Sequence, residues 1–150
     1  MHELNELWIW CVGNALRGDD AVGCRVAELL SEMGLPGVVD CGTTPENHTT
    51  GLRENPPAEL LIVDAADMGL PPGECRRLSI EELGAAGETS HGVSLSLLLA
   101  PFAGSTAISA LGIQPSNLQL GAPLSDAAEQ AARRAADRIA RNDWRNIEKF

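Results

Sequence analysis

Lysine is almost missing from this chain of 150 residues: the single one, Lys149, stands next to the C-terminal residue. Schiff-base chemistry and lysine-assisted phosphate transfer therefore have almost no candidate side chain. Basic residues are outnumbered overall, 11 Lys and Arg against 21 Asp and Glu, for a net charge of −10. That balance disfavours nucleic acid and anionic membrane as partners, since both need a basic footprint, and suits a basic or cationic partner. No apolar run is long enough to cross a bilayer, so no membrane span is expected. The opening MHELNELW carries acids where a secretory signal carries basic residues, and no small-residue cleavage pattern follows, which points to the cytoplasm.

Several motifs are missing as well. Cys11, Cys24, Cys41 and Cys75 are far apart with no C-x-x-C pair, so reduced, mostly buried thiols are expected in place of a zinc ribbon or a dithiol redox centre. There is no G-x-S-x-G elbow; around His91 the text is SHGVSLS, and Ser94 and Ser96 fall on an expected apolar helix. Nothing marks Cys41, beside Asp40, as a low-pKa nucleophile, and burial is the better reading of it.

What remains is an ordinary globular composition, 44% hydrophobic and 21% charged, at a length suited to one domain, residues 1–150. The chain is organised around residues 7–23, LWIWCVGNALRGDDAVG. Residues 7–12 read as a strand buried on both faces. Gly13, Asn14 and Gly18 make a flexible turn, and Val22, Val26, Leu29, Leu30 and Met33 then recur at helical spacing. Such a turn often cradles phosphate, yet Asp19 and Asp20 would repel one, and the glycines at 13, 18 and 23 fit neither a P-loop nor G-x-G-x-x-G. A cation, or a cationic group of a substrate, fits better. The plainer alternative is that Asp19 caps the helix and Asp20 complements its dipole.

Further along, GVVDC reads as a second strand ending near Asp40, and residues 41–57 as a long polar loop with one helical turn. Residues 59–64, ELLIVD, form the clearest buried strand, ending in Asp64. Residues 74–78 suggest a shorter exposed strand, and residues 79–83, SIEEL, a capped helical turn. A helix is expected over residues 93–103, ended or kinked by Pro101, and a strand over residues 106–113. A last helix starts at its Ser125 cap and runs to about residue 142, with an alanine-rich face; Trp144 should cover an edge. The fold class is α/β. In an open parallel sheet ligands bind beyond the carboxyl ends of the strands, where strand order reverses, so Asp20 and Asp64 converge if the first and third strands flank that reversal.

Asp20, Asp64 and His91 offer two carboxylates and an imidazole, a set suited to nickel, zinc or cadmium more than to calcium. Each has a plain structural alternative: a strand-end acid for Asp64, a helix-start histidine for His91, a strand-closing acid for Asp40. Asp67 reads as a turn residue, His48 as a loop residue, and His2 lies in a terminus expected to fray.

The pieces VGNALRGDDAVG (12–23), VDCGTTPEN (39–47), LLIVDAADMGLPPGE (60–74), TSH (89–91) and LGIQP (111–115), taken together and in order, resemble the [NiFe]-hydrogenase maturation endopeptidases. Within that family they look most like the branch that processes the formate-hydrogenlyase-type hydrogenase. The resemblance implies a three-layer α/β/α fold with a twisted, mostly parallel sheet of about five strands. It implies a cytoplasmic enzyme, expected as a monomer, that removes a short C-terminal extension from the nickel-loaded large-subunit precursor. Nickel would be carried by that substrate, with zinc or cadmium able to stand in. The family's metal-binding acid, acid and histidine carry over to Asp20, Asp64 and His91, Asp40 matches a further acid associated with activity, and Asp19 matches the neighbouring acid that is not a ligand. Ala21 and Cys41 stand where that branch has glycine. A non-catalytic nickel- or precursor-binding chaperone on the same fold is the alternative from another functional class.

Overall fold

The run LWIWCV becomes strand β1 (Leu7–Val12) in the computed structural model, which describes residues 6–86 and 94–150. A tight 3-10 turn (Gly18–Ala21) then leads into helix α1 (Val22–Glu32). Strand β2 (Val38–Gly42) returns parallel to β1, with Ile9 opposite Val38 and Cys11 opposite Asp40. The following loop holds more helix than the single turn expected: a 3-10 turn (Pro45–His48), opened by a proline in the position that has no N–H to spare, runs into α2 (Thr49–Glu54).

Strand β3 (Glu59–Ala65) lies parallel to β1 on its other side. After β4 (Cys75–Leu78) and α3 (Ile80–Ala86), α4 (Leu95–Leu99) leads through a 3-10 turn (Ala100–Phe102) to β5 (Ala107–Ile113). The helix expected over residues 93–103 is thus shorter, because Pro101 tightens its last turn; residue 93 lies outside the described residues. The chain then forms α5 (Asp126–Ala140). The sheet order is β2-β1-β3-β5-β4, parallel except for the antiparallel edge strand β4.

Side-chain alternation splits the core into two layers, one on each side of this sheet. Ile9, Cys11, Leu61, Val63, Leu111 and Ile113 face α1 and α5, whereas Trp10, Val12, Leu60, Ile62 and Ala110 face Leu52, Leu83, Leu95 and Leu99 of the short helices. The three-layer α/β/α expectation is met. Helix α5 presents Ala128, Ala131, Ala132, Ala135 and Ala136, all buried, and such small side chains let it lie close against the sheet.

Local chemistry explains several boundaries. The Ser79 hydroxyl accepts the Glu82 N–H at 3.0 Å while the Glu82 carboxylate accepts the Ser79 N–H at 2.8 Å, a reciprocal capping box at the start of α3. The Ser125 hydroxyl accepts the Ala128 N–H at 3.2 Å and so caps α5. Trp144 does not cover an edge: it is 3% exposed and buried in the α1–α5 core. The edge strand is covered instead by the last residues, where the Arg77 N–H donates to the Glu148 carbonyl and the Phe150 N–H to the Arg77 carbonyl, both at 2.9 Å. Among the described residues no helix is long and apolar enough to cross a membrane.

A candidate substrate-sensing site at the strand reversal

Strand order reverses between β1 and β3, because α1 carries the chain from β1 to one side and the next crossover carries it to the other. Three acids are delivered to that end of the sheet. Cys11 of β1 pairs with Asp40 of β2 on one side and Val63 of β3 on the other, so Asp64 stands one residue beyond this row. Asp20 arrives from the turn that follows β1. Asp20 and Asp64 are 1% and 3% exposed, whereas Asp40 is exposed and its Oδ1 accepts the Gly42 N–H at 3.1 Å.

The turn is held close to the sheet by glycine. A Cβ on Gly23 would lie 2.3 Å from the Val12 carbonyl oxygen and 2.9 Å from that of Val63, so only glycine lets α1 start directly over β1 and β3. Gly18 has φ +53, and a Cβ there would meet the Asn117 carbonyl oxygen at 2.2 Å. Ala21 takes φ −80 and needs no special conformation.

The two adjacent acids then separate. Asp19 is not the helix cap that the plainer reading allowed, since no side chain caps either the turn or α1. Its carboxylate reaches across to the loop before α5, accepting the Ser116 N–H at 2.8 Å and the Ser125 N–H and hydroxyl at 2.7 Å each. Asp20 instead accepts the Asn14 N–H at 3.1 Å, and its Oδ2 lies 4.0 Å from an Arg17 guanidinium nitrogen.

Cys24, in the sequence no more than an expected buried thiol, belongs to this neighbourhood. Burial, then the charge and hydrogen bonding of Asp40, then the charges of Asp20 and Asp64 push the Cys24 thiol up to about 12. Cys24 thus stands within electrostatic reach of all three acids, and its Sγ donates to the Gly13 carbonyl at 3.5 Å. The signal was present in the chain: residues 20 and 24 are one helical turn apart. Burial first, and then Asp40, also push Cys41 up to about 12, a poor state for a nucleophile. All four cysteines are free thiols. Ser94 and Ser96 bond each other at 3.1 Å.

His91 and His2 lie outside the described residues. Among the described residues no trio of His, Cys, Asp and Glu forms a group that could hold a metal ion. His48 packs edge-on against Trp10, ring centres 6.0 Å apart, as a loop residue would. The LGIQP piece supplies a clamp that local pattern did not disclose: the Gln114 amide oxygen accepts the Met68 N–H at 2.6 Å while its nitrogen donates to Asp67 at 3.1 Å. Asp67, read as a turn residue, also bonds the Gly69 N–H at 3.3 Å.

An open α/β sheet with buried carboxylates at its reversal point defines a ligand-binding site of the doubly wound class. Residues 24–142 match the family described as hydrogenase maturation protease. The hydrogenase 3 maturation protease of Escherichia coli K12 is 36% identical over 132 residues, which cover 83% of this chain and 85% of that protein. The solution structure of an E. coli endopeptidase superposes with a TM-score of 0.85 at 31% identity, covering 96% of each chain. A [NiFe] hydrogenase maturation protease from Thermococcus kodakarensis KOD1 gives 0.81 at 30% identity, covering 93% of this chain and 92% of that one. The chain belongs to the hydrogenase maturation protease family, and is accordingly an endopeptidase of hydrogenase maturation.

Proposed function

We propose that this enzyme removes a short C-terminal extension from the nickel-loaded precursor of a [NiFe]-hydrogenase large subunit, and that Asp20, Asp64 and His91 sense the nickel. The observation that carries this reading is the pair of buried carboxylates, Asp20 and Asp64, brought from distant parts of the chain to one end of β1 and β3. Two carboxylates suit a divalent borderline cation and leave room for donors brought by the precursor. Nickel is then cargo of the substrate, and zinc or cadmium, having similar preferences, can stand in for it. Asp40, exposed at the end of β2, steers the peptide next to the metal.

The Cys24 and Cys41 thiols near this end are poor nucleophiles, so activation is assigned to the substrate's own cation, which would polarise the scissile carbonyl or supply a bound water. Water adds to that carbonyl and the peptide C–N bond breaks, leaving a carboxylate on one fragment and an amine on the other. The protein's part is to hold the precursor's metal centre against Asp20 and Asp64 and to orient the peptide past Asp40. Cleavage then waits for metal loading, because without the cation the two carboxylates repel each other and any acidic tail. We place the enzyme in the cytoplasm, acting as a monomer. Intact-mass measurement of the precursor, with and without nickel, tests this: the nickel-loaded form should shorten and the nickel-free form should not. Equal trimming of both, or of neither, would reject the reading.

A further inference from the structure

Two exposed leucines stand on loops beside the turn that carries Asp20, and the structure ties those loops down. Leu16 is 69% exposed and Leu120 is 76% exposed. Their loops are joined by a 2.7 Å hydrogen bond from the Gly121 N–H to the Leu16 carbonyl, and by another of 2.7 Å from the Asp19 N–H to the Asn117 carbonyl. Beneath them the buried Asp19 carboxylate takes both N–H groups and the hydroxyl of Ser116 and Ser125 described above. On the other side, Leu16 follows Asn14, whose N–H reaches Asp20 and whose Oδ1 accepts the Leu16 N–H at 2.9 Å. The two leucines are therefore presented on a braced rim that adjoins Asp20.

The charge pattern on the Leu120 side of this rim is unlike the rest of the chain; on the Leu16 side the one cation, Arg17, lies 4.0 Å from the Asp20 carboxylate that balances it. Residues 89–125 contain no Asp, Glu, Lys or Arg, although 21% of the chain is charged and its net charge is −10. Burial explains this for β5, but not for the exposed loop that follows it. Depletion of charge around exposed apolar side chains is the composition of a protein-binding surface; a docking surface for a basic tail would be acidic.

We infer that the Leu16–Leu120 rim docks a neutral, apolar patch on the folded body of the precursor, beside its metal centre, while the three acids deal with the cation and the tail. This rests on the function proposed above. It divides the labour so that the rim supplies affinity and the acids supply chemistry.

The test is steady-state trimming of nickel-loaded precursor by the wild-type enzyme and by the double variant Leu16→Ser and Leu120→Ser, with Leu16→Met and Leu120→Met as the conservative pair. Both side chains are exposed, so the variants should melt with the parent. The expected result is KM raised about tenfold or more with kcat within about twofold, and recovery in the methionine pair. An unchanged KM, or a kcat that falls as far as kcat/KM, would overturn the inference. So would a wild-type dimer in sedimentation that the serine pair abolishes, since the rim would then bind a second copy. If the wild type trims nothing, the functional reading fails separately, and pull-down of precursor by wild type but not by the serine pair still decides the docking role.

Discussion

Asp19 and Asp20 are neighbours in the chain and equally hidden, at 0% and 1% exposure, yet their surroundings assign them opposite jobs. The Asp19 carboxylate is spent on three donors from one loop, all within 2.8 Å. One of those donors, the Ser125 hydroxyl, accepts in turn from Ala128, so Asp19 orients the cap of the longest helix. Asp20 turns the other way, toward Asn14 and the end of the sheet where Asp40 and Asp64 also act on Cys24. Burial alone therefore does not mark a functional acid; the address of its partners does.

The sharpest way to break this contrast is to remove each acid separately. Asp19→Ala leaves the half-buried N–H groups of Ser116 and Ser125 and the Ser125 hydroxyl without their acceptor and unsettles α5, and should cost roughly 2 kcal/mol in denaturant unfolding. At a temperature where the variant remains folded, trimming should persist with kcat largely kept and KM raised, because the rim has lost its brace. Asp20→Asn keeps the shape and should leave unfolding within about 1 kcal/mol of the parent, while trimming of nickel-loaded precursor falls roughly a hundredfold. If Asp20→Asn unfolds the protein and Asp19→Ala leaves it intact, the two roles have been exchanged.

A smaller effect concerns the thiol on the Asp20 side. The Cys24 thiol is raised from an ordinary value near 9 to about 12, so its proton is held more tightly in the folded chain. The stability this represents is complete below pH 9 and is lost as pH rises toward 12, because the unfolded chain sheds the proton first. Urea unfolding followed from pH 8 to pH 11 should show a steeper decline for the parent than for Cys24→Ser. Equal slopes would mean that neither burial nor the neighbouring acids raise that thiol in the folded chain.

Much of the architecture could be read because its causes are local. Strand β1 occupies residues 7–12 as its apolar run requires, Ser79 and Glu82 cap each other across three residues, and Ser125 opens α5. That β1 and β3 lie side by side, so that the turn carrying Asp20 and the strand carrying Asp64 reach the same end of the sheet, followed from strand order, which the alternation of strands and helices implies. The role of Asp19 was illegible because its partners Ser116 and Ser125 lie 97 and 106 residues away. Gln114 escaped for the same reason, its amide closing a loop 46 residues earlier. Trp144 was misplaced because an aromatic near a chain end gives no sign of which surface receives it. Only the α1–α5 packing decides that.

The pairing of residues 148–150 with Arg77 has a consequence for handling the protein. One margin of the sheet is already stitched shut, while among the described residues no strand lies alongside the outer side of β2. Self-assembly by strand addition thus has a single seam to start from, and a charge or a proline placed on the outer side of β2 would seal it.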